Sequence, residues 1–179
     1  MKKLLLPIAL ILFMLQSCGD ASKPKAPVRE TIKLTSDIQT PEVLWSMGRI
    51  GEFSVSSDGQ TVVYNVTDYD VENNKGFSRI YIMDADGGNV KCLTNGKFSE
   101  YSPTFTPAGR IAFMTAASGD MQLWEMDLRG KDRKQITDIQ DGITGFKYSP
   151  DGSMIVYSAE VKIKETVADI YPEIGRAHV

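Results

Sequence analysis

From Pro41 onward, hydrophobic and polar positions alternate in short runs, each bounded by Gly, Asp, Asn or Pro. Three of these runs, "QTVVYNVT", "RIAFMTA" and "SMIVYSA", follow turns of one kind. The turns are Val55-Ser56-Ser57-Asp58-Gly59, Phe105-Thr106-Pro107-Ala108-Gly109 and Tyr148-Ser149-Pro150-Asp151-Gly152. Proline presets the entry angle of such a turn, and glycine accepts the positive φ that reverses the chain. The runs are rich in β-branched and aromatic residues, as strands are. No stretch after residue 40 sustains a helical period, so the chain is predicted to be all-β.

The runs also recur at a fixed interval. "RIYIMDADGGNVKCLT" aligns with "QLWEMDLRGKDRKQIT", and Asp84 and Asp127, Thr94 and Thr137, and Gly109 and Gly152 all stand 43 residues apart. Gly59 and Gly109 stand 50 apart, and the surplus falls in "TDYDVENNKGFS", a polar insertion between two strands. A period of about 40 to 45 residues with some four strands per unit is the signature of a β-propeller. Each unit folds as one blade, and neighbouring blades must cover its two faces. Val62, Val63, Tyr64, Ile80, Tyr81, Ile82, Ile111, Phe113, Leu123, Trp124, Ile155, Val156 and Tyr157 are expected to supply that packing. About three four-stranded blades can be placed: Ile50 to Thr94, Ser99 to Thr137, and a third from Gly145. Propellers close with typically four to eight blades. Residues 41–172 are therefore expected to form an incomplete propeller, with an inter-blade face and strand edges open to water.

Ahead of the repeats, "MKKLLLPIALILFMLQSC" places Lys2 and Lys3 before an apolar run from Leu4 to Leu15, then a small residue and a cysteine. This is the pattern of an export signal over residues 1–17, helical while it acts. The run is too short to stay in a bilayer as a permanent span. Leu15-Gln16-Ser17-Cys18 resembles the bacterial lipobox. That resemblance implies that Cys18 becomes the first mature residue and carries lipid, each buried methylene adding about 0.8 kcal/mol of membrane affinity. The expectation is an exported bacterial lipoprotein, membrane-anchored and facing the periplasm. Residues 18–40 are polar, hold Pro24 and Pro27, and read as a flexible tether.

Charge and chemistry add mostly exclusions. The formal net charge is −3 and no basic run occurs, which argues against nucleic acid as a partner. With Cys18 lipidated, Cys92 is left alone, and within "VKCLT" it is expected to be a small buried hydrophobe. Asp84 to Asn89, "DADGGN", is spaced like the start of a calcium loop, but strands flank it and no closing glutamate follows, so a hairpin turn is expected. Asp68, Asp70 and Glu72 stand close together in "DYDVEN". Such carboxylates can act as acid and base, bind a cation, or belong to a solvated loop at one mouth of the propeller that touches a ligand or a neighbouring domain. No G-x-S-x-G, H-E-x-x-H, C-x-x-C, phosphate loop or dinucleotide fingerprint occurs, and the sole histidine is His178. No catalytic residue, metal site or cofactor is expected on this chain.

Thr40 to Gly76 resembles the opening blade of bacterial peptidases of the prolyl oligopeptidase family, in the dipeptidyl-peptidase and acylaminoacyl-peptidase branch. The resemblance is carried by Leu44-Trp45, Gly48-Arg49-Ile50-Gly51, the Ser57-Asp58-Gly59 turn, Tyr69-Asp70 and Asn74-Lys75. It implies an N-terminal propeller that restricts access to short peptides, joined to an α/β-hydrolase domain bearing serine, aspartate and histidine. None of those three has a counterpart here. Peptide substrates would be met through that further domain, and the membrane through the lipid anchor. "SPDG" and "IYIMDADGGNVKCLT" also resemble the repeats of TolB-type periplasmic proteins, so a non-catalytic propeller binding a protein or ligand is the alternative. Residues 173–179, "EIGRAHV", back-translate into a string that resembles a sequencing-library adapter. They are expected to be a non-native tail, which makes His178 neither base nor ligand.

Overall fold

The structure, a computed structural model, describes residues 37–161. The export signal, Cys18, most of the tether and the 173–179 tail with His178 lie outside the described residues.

The chain opens with the helix α1 (Pro41–Ser46), followed by ten strands in three antiparallel sheets. The first sheet runs β1 (Arg49–Val55), β2 (Thr61–Asp70), β3 (Lys75–Asp84) and β4 (Lys91–Cys92). The second runs β5 (Glu100–Phe105), β6 (Ile111–Thr115), β7 (Gln122–Met126) and β8 (Lys134–Gln135). A third begins with β9 (Gly145–Tyr148) and β10 (Ile155–Ser158). Strand order within each sheet is chain order. Among the described residues there are thus two whole propeller blades and the opening hairpin of a third. The helix was not expected. At six residues it is too short to show a period, and it is fixed locally, by Pro41 in its first turn and by the Thr40 hydroxyl accepting from the Val43 N–H at 3.4 Å.

The three turns that opened the sequence pattern join β1 to β2, β5 to β6 and β9 to β10. Gly59, Gly109 and Gly152 have φ of 71°, 73° and 71°, in the left-handed region that glycine accepts without strain. In the outer two, the aspartate carboxylate accepts a 2.6 Å bond from the serine two residues earlier, Ser56 to Asp58 and Ser149 to Asp151.

Blade packing follows from β6, which is buried along its whole length. Ile111 and Phe113 point to the first blade, where they meet Val63 and Ile80 together with Met126. Ala112 and Met114 point the other way, with Leu123 and Ile143, toward Phe146, Tyr148 and Ile155 of the third sheet. A strand whose alternate side chains are all apolar is the sequence counterpart of a blade covered on both faces. The joint between the first two blades is also polar: the Phe105 N–H donates to the Ser54 hydroxyl at 3.2 Å, and β5 packs against β1, β2 and β3.

Two expectations need correction. The polar insertion is largely strand: β2 and β3 pair without interruption from Thr61↔Asp84 to Asp70↔Lys75. The surplus residues lengthen the hairpin, because Tyr69 and Phe77 continue the strand alternation that the acidic residues conceal. Cys92 is exposed rather than buried. It pairs with Tyr81 at the short outer strand β4, on the face of the first blade turned away from the second, and its thiol lies 3.1 Å from the Thr94 carbonyl oxygen.

Both first strands carry a bulge that sets two residues against one, Gly51-Glu52 opposite Asn65 and Ser102-Pro103 opposite Phe113. In the first blade the gap in the ladder is closed by buried Asn65. Its Oδ1 accepts from the Glu52 N–H and its Nδ2 donates to the Ser78 hydroxyl, both at 2.9 Å. A Cβ on residue 51 would lie 2.7 Å from that amide, so any larger residue there must displace the buried Asn65 side chain from its two hydrogen bonds.

Candidate functional site

The first strands of the three sheets gather around two clefts. The larger, about 720 Å³, lies at the ends of β1, β5 and β9 where the three Asp/Ala-Gly turns converge. Ser56, Asp58, Thr106, Pro107, Tyr148 and Ser149 are among the residues that line it. The smaller, about 360 Å³, lies further along the same strands between Glu52, Phe53, Ser102, Thr104, Gly145 and Phe146. Thr104 and Phe146 line both. The clefts are therefore neighbours along the inner edges of the blades, the side on which a propeller has its central channel.

The turn carboxylates at the wide end are already engaged. Asp58 is held below its ordinary carboxylate value by the Ser56 hydroxyl and then by the Gln60 N–H at 3.0 Å. Asp151 is lowered to about 2 by the Ser149 and Ser153 hydroxyls. Each is charged at neutral pH, fully solvated, and spent on its own turn. Tyr148 donates to Glu125 Oε1 at 2.7 Å, so that burial and the carboxylate together raise its pKa. Glu125 also accepts from Arg110 Nε at 3.0 Å, and Arg110 reaches Asp132 at 2.9 Å. This chain of polar contacts fastens the third sheet to the second beside the channel.

The three acidic residues singled out in the sequence do not converge. Asp68 is buried and paired with Arg79 across the β2–β3 ladder. Asp70 closes the hairpin turn, accepting from the Asn73 N–H at 3.1 Å and from Asn73 Nδ2 at 2.8 Å. Glu72 is exposed on the turn itself. "DADGGN" is a hairpin turn: the Asp84 N–H donates to the Gly88 carbonyl at 2.9 Å, and Asn89 Nδ2 reaches the Asp84 carboxylate at 2.6 Å. Among the described residues no group of three or more His, Cys, Asp or Glu is placed to hold a metal ion.

Two features were not singled out from sequence as sites. Arg49 lies between the rings of Trp45 and Tyr69, with its guanidinium carbon 4.9 Å and 4.7 Å from their centroids, so α1 is clamped to the long hairpin. Glu100, at the start of β5, is 1% exposed. Its Oε1 accepts from Arg133 at 3.0 Å, and that guanidinium also covers the Phe113 ring at 4.9 Å. A charged residue at a strand start looks like surface, so nothing in the local pattern marked Glu100.

Burial raises the pKa of Glu100 above its ordinary 4.5, and Arg133 only partly offsets this. The folded chain therefore takes up this proton at a higher pH than the unfolded chain. This contribution to stability is fully present below 4.5 and is lost as pH rises through the folded value. Glu100→Gln should remove that slope. Urea unfolding of both forms across pH 4 to 8 (roughly the range in which carboxylates titrate) checks it, and parallel curves would contradict the burial argument.

No protein-family model matches the chain. In sequence it is 38% identical over 151 residues to dipeptidyl-peptidase 5 of Porphyromonas endodontalis, a match covering 84% of this chain and 22% of that protein. It is 38% identical over 144 residues to dipeptidyl-peptidase 5 of Porphyromonas gingivalis, covering 80% and 21%. The chain spans about a fifth of the length of these curated relatives. Among solved structures, TolB from Acinetobacter baumannii superposes with a TM-score of 0.52 at 24% identity, over 63% of this chain and 27% of that one. An acylaminoacyl peptidase from Pyrococcus horikoshii superposes with a TM-score of 0.52 at 22% identity, over 64% and 17%. At these identities the structural likeness speaks for the propeller fold alone.

Proposed function

On the premise that this chain is a propeller segment of a prolyl oligopeptidase-family peptidase, we propose that it forms the leading blades of a propeller that gates a serine peptidase acting on short peptides. The observation that carries this is the 38% identity to two dipeptidyl peptidases over more than three quarters of the chain. The geometry agrees with a gate. The inner strands leave a cleft along their edges, and two of the turns at its end tie up their own carboxylates, which suits a wall that peptides pass rather than a reactive site.

In this reading the described residues take no part in bond cleavage. Serine, base and oxyanion donors belong to a hydrolase domain outside this chain, and the blades contribute exclusion, admitting short extended peptides and holding back folded proteins. Export and lipid attachment at Cys18 belong to the same proposal. Cys18→Ala should abolish labelling by a fatty acid and release the protein from the membrane fraction, and persistent labelling would remove that part.

The activity is tested on the complete gene product purified from its source. Chromogenic dipeptide substrates should be cleaved from their N-terminal end and a folded protein of similar sequence content should not. A serine-directed phosphonate should abolish the cleavage. Absence of hydrolysis, together with retained binding to a protein partner, would instead support the TolB-like alternative.

A further inference from the structure

A third cleft, about 180 Å³, lies away from the inner strands, between α1 and the tip of the long β2–β3 hairpin. Trp45, Tyr69, Val71, Asn74 and Lys75 are among the residues that line it. The tip stands clear of the neighbouring blade. Thr61 and Arg110 close equivalent turns, which sets Val66↔Arg79 level with Thr115↔Gln122, the last pair of the β6–β7 ladder. The first-blade ladder then runs on to Asp70↔Lys75. A repeat of the second blade's length, placed on either side, would not reach this cleft.

Arg49 is the cation at its back. The guanidinium is held between the Trp45 and Tyr69 rings, both of which are walls of the cleft. Its Nη1 is buried and has no hydrogen-bond partner. A charged donor withdrawn from water without an acceptor is costly, so in folded proteins such a group is ordinarily met by one. Lys75 is a second cation, exposed on the cleft wall. Asp70 also lines the cleft, but its carboxylate is taken by the Asn73 N–H and Nδ2 at 3.1 Å and 2.8 Å, with the Lys75 charge beside it. No residue of α1 is buried, so the helix can shift enough to let an oxygen reach Nη1.

Two aromatic walls, an exposed valine, two cations and a donor without an acceptor match a carboxylate borne by an apolar residue. The volume is below what a drug-sized ligand needs, and suits one terminal residue. Arginine fits the role because a guanidinium stacked on rings still presents its donors in the plane of the fork.

We propose that this cleft binds the C-terminal carboxylate of a short peptide. Arg49 and Lys75 take the oxygens, and the last side chain of the peptide lies against Trp45, Tyr69 and Val71. The choice of a peptide as the bearer of the carboxylate rests on the peptidase reading, whereas the cleft and its cations do not.

Calorimetric titration of the full chain with N-acetyl-alanyl-leucine, and with the C-terminal amide of the same peptide, tests it. The acid should bind, and the amide should bind roughly tenfold or more weakly, as loss of a hydrogen bond between charged partners implies. Arg49→Gln should abolish the preference. Lys75→Gln changes an exposed side chain outside the ring clamp, so it should keep the fold by circular dichroism and weaken the acid alone. Equal binding of the two peptides, binding of neither, or a preference indifferent to Lys75→Gln would overturn the proposal. The complete gene product, its serine blocked by a phosphonate, should show the same preference. Its loss there would mean that another part of the protein fills the cleft, which would also overturn the proposal. Cleavage without the preference would remove this site and leave the peptidase reading standing, and the preference without cleavage would do the reverse.

Discussion

Phe113→Ala is expected to lower the stability of the folded chain by about 3–5 kcal/mol, the cost of removing a large aromatic ring from a closed core. Phe113 is fully buried on a strand covered from both sides, and its ring fills the joint between the first two blades among Val63, Ile80 and Met126. It also carries the Arg133 guanidinium on one face, so truncation leaves a cavity and strips Arg133 of its stacking partner while Glu100 stays buried. Tyr64 is the matching control, since it occupies the same place in the first blade with that face uncovered. Tyr64→Ala should lose mainly its ring pair with Tyr81, about 0.5–1.5 kcal/mol. Urea unfolding of the two variants measures the difference. Equal losses would mean that blade packing does not distinguish the two faces.

Gly130→Ala is expected to be the most damaging small substitution. Gly130 has φ of 76° in the turn between β7 and β8, where any side chain costs about 1–2 kcal/mol. A Cβ there would in addition lie 2.4 Å from the Leu93 carbonyl oxygen of the first blade. That neighbour is backbone and cannot swing aside, so the inter-blade joint must open and overpacking adds about 1–3 kcal/mol. Gly59 separates the two effects, because its φ is 71° yet nothing lies within 4 Å of a Cβ built on it. Gly59→Ala should show the conformational cost alone. A thermal melt of both variants reads the difference, and similar losses would show that Gly130 does not hold the blades at close approach.

Much of this architecture could be read in the chain because it rests on local chemistry repeated at a fixed interval. Gly59, Gly109 and Gly152 announced three equivalent turns, and each has the positive φ that the residue type implied. The 43-residue spacing of Asp84 and Asp127 placed the hairpin turns, and the unbroken apolar run of β6 fitted a strand covered on both faces. What escaped depended on position in the assembled propeller rather than on pattern. Cys92 looked like a core residue because it stands in a strand-like run, "VKCLT", but it belongs to a short outer strand on an uncovered face. The long hairpin looked like a loop because acidic residues interrupt its alternation. Yet Asp68 is buried there by an ion pair with Arg79, eleven residues away and on the facing strand. Glu100 gave no signal at all, since its burial comes from the neighbouring blade and Arg133.

The candidate site was legible only in outline. Resemblance to a peptidase propeller implied a domain that restricts access to short peptides, and Arg49, Trp45 and Tyr69 appeared in it as letters of a motif. Only the structure shows that they form a clamp between α1 and the hairpin tip.

The central claim, that these are the leading blades of a gated serine peptidase, is tested most directly on the source DNA. A primer in the region coding for "DGITGFKYSPDG" allows the locus to be read past the codon for Pro172. The expected result is a continuous frame with further repeats of about 43 residues, then a G-x-S-x-G and a late histidine. A source locus that itself encodes "EIGRAHV" and then stops would contradict it.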